Sequence, residues 1–198
     1  MKKILVFADL HANSRALEDI RPILKDVDLS IFCGDIIGYG KDIDYCIDFI
    51  IENIDLVVQG NHETLAVSDE DVGSQIPAVQ KSAIYNRRKL TTKQRAYLVT
   101  LPTEIWYEDL YITHSVNNEY LRTNVGFEKL FKKMRENTRY AFFGHTHEQV
   151  LFSRNNKTII NPGSITKGRR GLDRGYVLID SRRIDFVRLE PLTLESTI

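Results

Sequence analysis

All five histidines of this 198-residue chain follow short apolar runs. ILVFA (4–8) ends in Asp9-Leu10-His11, and LSIFC (29–33) ends in Gly34-Asp35. LVVQ (56–59) ends in Gly60-Asn61-His62, and LYIT (110–113) ends in His114. YAFF (140–143) ends in Gly144-His145-Thr146-His147. Imidazole, carboxylate and amide carbonyl groups together suit borderline to hard divalent cations such as manganese, iron or zinc. The eight groups Asp9, His11, Asp35, Asn61, His62, His114, His145 and His147 are too many for one ion that keeps an open position. They fit two ions that share a carboxylate. Asp35 is the expected bridge, because it is the only ligand type in its motif. Alternate residues of an extended segment point the same way, so Asp9/His11 and His145/His147 are each expected to present both side chains together.

Such a cluster needs strands whose ends converge. KILVFA (3–8), DLSIFC (28–33) and DLVVQ (55–59) are near-continuous apolar runs, the pattern of strands buried on both faces. Leu17, Ile20 and Leu24 recur between the first two at helical spacing, and Ile43, Cys46, Ile47, Ile50 and Ile51 between the second two. This alternation predicts right-handed βαβ units and a parallel sheet, in which ligands bind at the carboxyl ends of the strands. From about 64 to 101 the pattern is mostly helical and polar. It holds a capping box at Thr91 and Gln94 and a stop at Pro102. This segment is expected over one edge of the sheet, as a lid.

EIWYE (104–108) and LYITH (110–114) predict a hairpin turning at Glu108-Asp109. A helix is expected over 126–136. YAFF, QVLFS (149–153), KTIIN (157–161), YVLID (176–180) and RIDFVRL (183–189) follow. Their short connections predict antiparallel pairing. The fold class is α/β, and residues 1–198 read as one domain.

Charge balances at 27 basic and 27 acidic residues, which gives the whole molecule no long-range pull on nucleic acid or membrane. The two cysteines, Cys33 and Cys46, lie in apolar patterns and read as packed thiols of a reducing compartment. The apolar part of MKKILVFADLH is too short for a signal peptide and is interrupted by Asp9 and His11. No run reaches membrane-spanning length. A cytoplasmic protein is expected, with nothing that fixes an oligomeric state.

In order and context, ADLH, GD, GNHE, the lone histidine after an apolar strand and GHTH resemble the calcineurin-like metallophosphoesterase superfamily, from Met1 to about Leu189. GDIIGYG, INPGSI and the closing strand pair are similar to its small single-domain bacterial and archaeal members. The resemblance implies a sandwich of two mixed β-sheets flanked by helices. It implies one metal on Asp9, His11, Asp35 and His147, and a second on Asp35, Asn61, His114 and His145. His62 would stand over the substrate as acid or phosphate ligand, with Glu63 orienting it. Manganese is the favoured ion, and iron, zinc, nickel and cobalt are alternatives. A hydroxide bridging two such ions, about 3.5–4 Å apart, would attack phosphorus in line.

The sequence departs from the superfamily's protein serine/threonine phosphatases at two places. Those enzymes carry an Asp-Arg-Gly within the stretch matching GDIIGYG, and an Arg before GNHE. Here GDIIGYG holds no arginine and Gln59 precedes Gly60. Without those phosphate-clamping arginines a small phosphodiester, a nucleotide among the options, is expected over a monoester. A phosphomonoesterase or protein phosphatase is the alternative; a scaffold would not need so complete a ligand set. Asn13 and Tyr39, just after ligand motifs, are candidate substrate contacts, though Asn13 also suits a helix cap. So is Arg169, in the basic run TKGRRGLDRG (166–175). Asn117, Asn118 and Tyr120, after His114, are candidates for the crevice wall.

Overall fold

The computed structural model describes residues 2–68 and 71–192. Among the described residues, ten strands form two five-stranded sheets. The first contains β1 (Ile4–Phe7), β2 (Leu29–Phe32), β3 (Leu56–Val57), β9 (Arg174–Asp180) and β10 (Arg183–Leu189), in the order β10-β9-β1-β2-β3. The second contains β4 (Glu104–Tyr107), β5 (Leu110–Thr113), β6 (Tyr140–Phe142), β7 (Gln149–Arg154) and β8 (Lys157–Pro162), in the order β4-β5-β6-β8-β7.

The apolar runs are continuous because both faces of the central strands are covered. Ile4, Val6 and Ala8 of the first run point into a core shared with Ile112, Phe142 and Ile160 of the other sheet. Leu5 and Phe7 point the other way, into a core with Leu17 and Ile20 of helix α1 (Ala16–Ile20) and with Cys46, Ile47 and Ile50 of α2 (Ile43–Asn53). On the far side Tyr111, Ala141 and Ile159 of the second sheet pack against Phe127 and Leu130 of the helix Asn124–Lys133. The molecule is a sandwich of two mixed sheets between helical layers. The expected fold class holds.

The expected helix through Leu24 stops early. α1 ends at Ile20, and Pro22 leads instead into a 3-10 turn at Ile23–Asp26, because proline interrupts helical hydrogen bonding. The polar middle is helical as read, with α3 (Asn61–Val67), α4 (Pro77–Lys89) and α5 (Thr92–Thr100); Asp69 and Glu70 lie outside the described residues. The Thr91 capping box forms, with Gln94 N–H on Thr91 Oγ1 at 3.2 Å and Thr91 N–H on Gln94 Oε1 at 2.9 Å. α3 packs against both α4 and α5, and just past edge strand β3 the Gln59 N–H meets Pro102 O at 2.8 Å. The remaining helix, α6, spans Asn124–Lys133.

One pairing expectation fails. β7–β8 and β9–β10 are antiparallel, but β6 runs parallel to both β5 and β8. The chain returns to β6 through α6, a crossover, and the β7–β8 hairpin places β8 rather than β7 beside β6. Short connections therefore did not mean sequence neighbours. Among the described residues, no helix is long and apolar enough to cross a membrane.

Candidate metal centre

The ends of β1, β2, β3, β5 and β6 bring the ligand-type residues together. Asp9, His11 and His147 form one buried group. Asp35, His114 and His145 form a second. Asn61 joins the second, its Oδ1 lying 3.0 Å from His114 Nε2. Asp35 also falls within a third group with His11 and His62, so its carboxylate stands between the two histidine sets.

The motifs do not present their residues as extended segments. Asp9, His11, Asp35, His145 and His147 all have left-handed backbone, with φ of 56°, 51°, 64°, 69° and 57°. Asp9 and His11 still present their side chains to one group as expected, but the expectation that His145 and His147 face together fails. His147 turns toward the first group and His145 toward the second. Left-handed non-glycine residues cost about 1 kcal/mol or more each and cluster at functional sites. Neighbouring polar groups hold them here. Ser164 Oγ donates to Asp9 O at 2.8 Å, and Asn161 Nδ2 donates to Gly144 O at 2.7 Å. Backbone N–H groups of Leu10 and His11 donate to Asp35 O at 2.9 and 3.0 Å. Gly60 leaves no room for a side chain, because a Cβ there would lie 2.1 Å from Asp35 Oδ1.

The hydrogen bonds fix which ring nitrogen faces the centre. His11, His114 and His147 each turn Nδ1 to a backbone carbonyl, of Ile37, Cys33 and Lys167 at 3.3, 2.8 and 3.0 Å. A carbonyl only accepts, so Nδ1 carries a proton in each ring and Nε2 is the nitrogen that faces the centre. The Nε2 atoms of His11 and His147 then face each other at 3.0 Å. Two lone pairs at that distance repel unless a cation lies between them. His114 Nε2 likewise faces Asn61 Oδ1, Asp35 Oδ2 at 3.3 Å and His145 Nδ1 at 3.2 Å. Asp9 Oδ2 and His145 Nε2 are buried with no hydrogen-bond partner among the described residues.

Electrostatics agree with that donor set. Burial lowers His145 to about 4 and His147 to about 3, and holds His11 well below its ordinary value, so these rings are neutral at pH 7, the form that can bind a cation. Burial pushes Asp9 up to about 8, against the pull of His114. Burial is the largest influence on Asp35 and would raise it, but the charge and hydrogen bond of His114 together with the charges of His62 and His11 outweigh it and hold the carboxyl well below the usual range. Burial opposes protonation of His114 too, yet Asp35 carries it up to about 9. A proton there occupies the place that a divalent cation would take. The residues present fit metal ions in both groups.

Glu63 does a different job from the one expected. Its Oε2 accepts the N–H groups of Asp35 and Gly60 at 2.9 and 2.8 Å, and its Oε1 accepts that of Ile37 at 3.0 Å. No hydrogen bond joins it to the His62 ring, whose Nδ1 is buried without a partner among the described residues. Glu63 therefore ties the Asp35 loop to the start of α3 rather than orienting His62 directly. Burial, then the Asp35 charge, raise it to about 7, while the Ile37 and Gly60 N–H groups pull it down. Glu63→Gln must leave at least one buried N–H facing an amide NH₂. An unpaired group of this kind costs about 1–3 kcal/mol, or roughly 2–4 °C in Tm per kcal/mol at this chain length. Thermal unfolding of the metal-free variant checks this, and an unchanged Tm would show that the three bonds are not stabilising.

The His62 ring packs edge-on against His11 and Tyr39, with centroids 4.9 and 4.8 Å away. Beside the first group opens a cavity of about 720 Å³, whose wall includes His11, His147, Asn13, Tyr39 and Arg169. The three candidate substrate contacts thus share one wall. Asn13 caps nothing: α1 starts after Arg15 without a side-chain cap bond. Tyr120 stacks on His145 at 4.4 Å, and Arg169 lies over the Tyr120 ring at 5.4 Å. Asn117 and Asn118 form a left-handed turn before it and are absent from the cavity wall. Gln59 is occupied elsewhere, donating to Leu98 O at 2.8 Å and accepting from Thr64 at 3.0 Å.

Sequence reasoning missed Asn161 and Ser164. Their signal was a polar residue directly after the apolar KTII and a second one three positions on, beyond Pro162-Gly163, both fully buried in the fold. It also missed Asn86 of α4, whose Nδ2 reaches Gly38 O at 3.3 Å.

The chain matches, over residues 1–183, the model of a family described as the calcineurin-like phosphoesterase superfamily domain. An uncharacterized protein of Methanocaldococcus jannaschii is 24% identical over 218 residues, which cover 94% of this chain and 87% of that protein. The crystal structure of a metallophosphoesterase from Sphaerobacter thermophilus superposes with a TM-score of 0.78 at 24% identity, covering 96% of this chain and 89% of that one. A hypothetical protein from Pyrococcus horikoshii gives 0.76 at 18% identity, with 96% and 88% covered. At these identities the structural likeness establishes the fold.

Proposed function

Because the chain belongs to the calcineurin-like phosphoesterase superfamily, a family of metal-dependent phosphoester hydrolases, we propose that it hydrolyses small phosphodiesters at a centre of two divalent ions, manganese favoured. The observation that carries this reading is the pair of histidine sets on either side of Asp35, each with ring nitrogens turned inward. Asp9, His11, Asp35 and His147 would hold one ion. Asp35, Asn61, His114 and His145 would hold the other. Ions bound there supply charge stabilisation at the phosphoryl oxygens and a water-derived nucleophile at neutral pH.

Hydrolysis forms a phosphorus–oxygen bond from water and breaks the one to the leaving alcohol. In this reading His62 gives its proton to the departing alkoxide. Burial lowers its affinity for that proton, and an anionic phosphate arriving beside it restores the charged form. Glu63 keeps the Asp35 loop and the His62 helix in register. Arg169, half-buried on the cavity wall, holds a non-bridging oxygen. Tyr39 and Asn13 line the approach.

Diester preference rests on arginine count. A monoester dianion carries an extra charge, which specialised enzymes meet with arginines beyond the metals. Gln59 is tied to α5 and Thr64, and the 34–40 loop has no arginine. One specific observation favours a monoester instead: Arg169 reaches the site wall from another loop. The two readings separate on kcat/KM for bis-p-nitrophenyl phosphate against p-nitrophenyl phosphate, with manganese at neutral pH. The diester is expected to be the better substrate. A preference of about tenfold or more for the monoester would reverse the assignment.

A further inference from the structure

The cavity beside the metal centre holds more positive charge than one phosphoryl group uses. Lys41, Lys81 and Lys167 line it in addition to Arg169, in a chain whose formal charges cancel. They come from three separate segments, each anchored to the site. Lys41 follows Gly40, whose N–H bonds His11 O at 2.8 Å. The backbone carbonyl of Lys167 receives His147 Nδ1 at 3.0 Å. Lys81 shares its helix face with Ala78 and buried Ser82. One turn further along, Asn86 binds both Ser82 Oγ and Gly38 O at 3.3 Å.

Among the described residues, none of the three ammonium groups meets a carboxylate at ion-pair distance. The acidic residue of the same wall, Asp42, is engaged: its Oδ2 accepts the Ser14 N–H at 3.2 Å and the Ser14 hydroxyl at 2.5 Å. Cations gathered around one cavity repel each other and are relieved by an anion between them. The scissile phosphoryl group is already served by the metal centre and Arg169. The cavity's 720 Å³ falls in the range of about 300–1,000 Å³ that receives small molecules.

We propose that this wall is a second anion subsite, in which Lys41, Lys81 and Lys167 receive a further phosphate of the substrate. The substrate is then a nucleotide-sized phosphoester or phosphoanhydride with at least one phosphate besides the one attacked. This rests on the phosphoesterase reading and narrows its substrate class. The three lysines act as specificity-determining residues.

The test compares adenosine 3′,5′-bisphosphate with adenosine 5′-monophosphate by titration calorimetry on the manganese-loaded protein. The two ligands differ by one phosphate. The bisphosphate is expected to bind about tenfold to a hundredfold more tightly, the worth of one or two charge-assisted hydrogen bonds. Lys41→Ala with Lys81→Ala should reduce that ratio to about twofold or less, while Lys41→Arg with Lys81→Arg should keep most of it. Both lysines are exposed, so the changes leave the core intact. Equal affinity for the two nucleotides, no bisphosphate binding, or a ratio that survives the double alanine change would each overturn the subsite. Calorimetry also separates the two readings. A tenfold or larger ratio in the parent protein that collapses in the double alanine variant, without cleavage of any ester, leaves the subsite and removes the phosphoesterase. Cleavage of a simple diester with a ratio near one does the reverse.

Discussion

Asp35→Asn is expected to release both metal ions and to abolish hydrolysis. Asp35 is the one carboxylate that stands between the histidine sets, 2% exposed. Asn is nearly isosteric, so the change removes charge with little change of shape. Oδ1 accepts the His62 N–H at 3.0 Å, and Oδ2 faces His114 Nε2 at 3.3 Å. An amide can keep one of these contacts as an acceptor, but its NH₂ then points at the other group. More important is the charge. Asp9 and Asp35 are the carboxylates in the two candidate metal groups; without Asp35 the second group keeps only Asn61 and two imidazoles. Two measurements decide it: metal content per chain after dialysis against manganese, and kcat/KM on the diester. Retention of both ions with activity within about tenfold of the parent, a difference of about 1.4 kcal/mol, would show that another group bridges.

Much of this centre was legible in the sequence because strand ends and ligand types coincide. A buried strand is an unbroken apolar run, so a polar residue directly after it lies at the strand's exit. Asp9, Asp35, Asn61, His114 and His145 could be placed that way without knowing any torsion. What could not be read is how each side chain turns. Periodicity assumes extended backbone, whereas Asp9, His11 and His147 are left-handed. The carbonyls that fix the imidazole tautomers belong to Ile37, Cys33 and Lys167. Every residue supplies a carbonyl, so sequence carries no mark of them.

Glu63 shows the same limit. Its neighbour in sequence is His62, but its partners are backbone N–H groups of Asp35, Ile37 and Gly60. Sheet order failed for a related reason. Loop length reports which strands are close in sequence, while β6 lies between β5 and β8 because α6 carries the chain across. The lysines of the cavity wall were hidden because their segments are far apart, and an isolated lysine on a helix such as α4 reads as a solvated face.

His62→Ala is expected to keep both ions and to lower kcat by about 10²–10⁴, the usual worth of a positioned acid. The His62 N–H bonds Asp35 Oδ1, but this contact is backbone and survives removal of the ring. The ring itself packs against His11 and Tyr39 and, among the described residues, leaves Nδ1 unpaired, as befits a group held for a partner that arrives with substrate. A competing assignment has a definite basis: His62 can be grouped with His11 and Asp35 as a third ligand set. The two assignments predict different residues of function. A proton donor can be bypassed by a better leaving group, so the His62→Ala deficit should shrink when the leaving alcohol is p-nitrophenol and grow when it is an alkyl alcohol. A lost ligand would depress both substrates alike and would lower metal content. Metal analysis of the variant, with kcat for an activated and an unactivated diester, therefore distinguishes them. A uniform loss on both esters together with a missing ion would move His62 from acid to ligand.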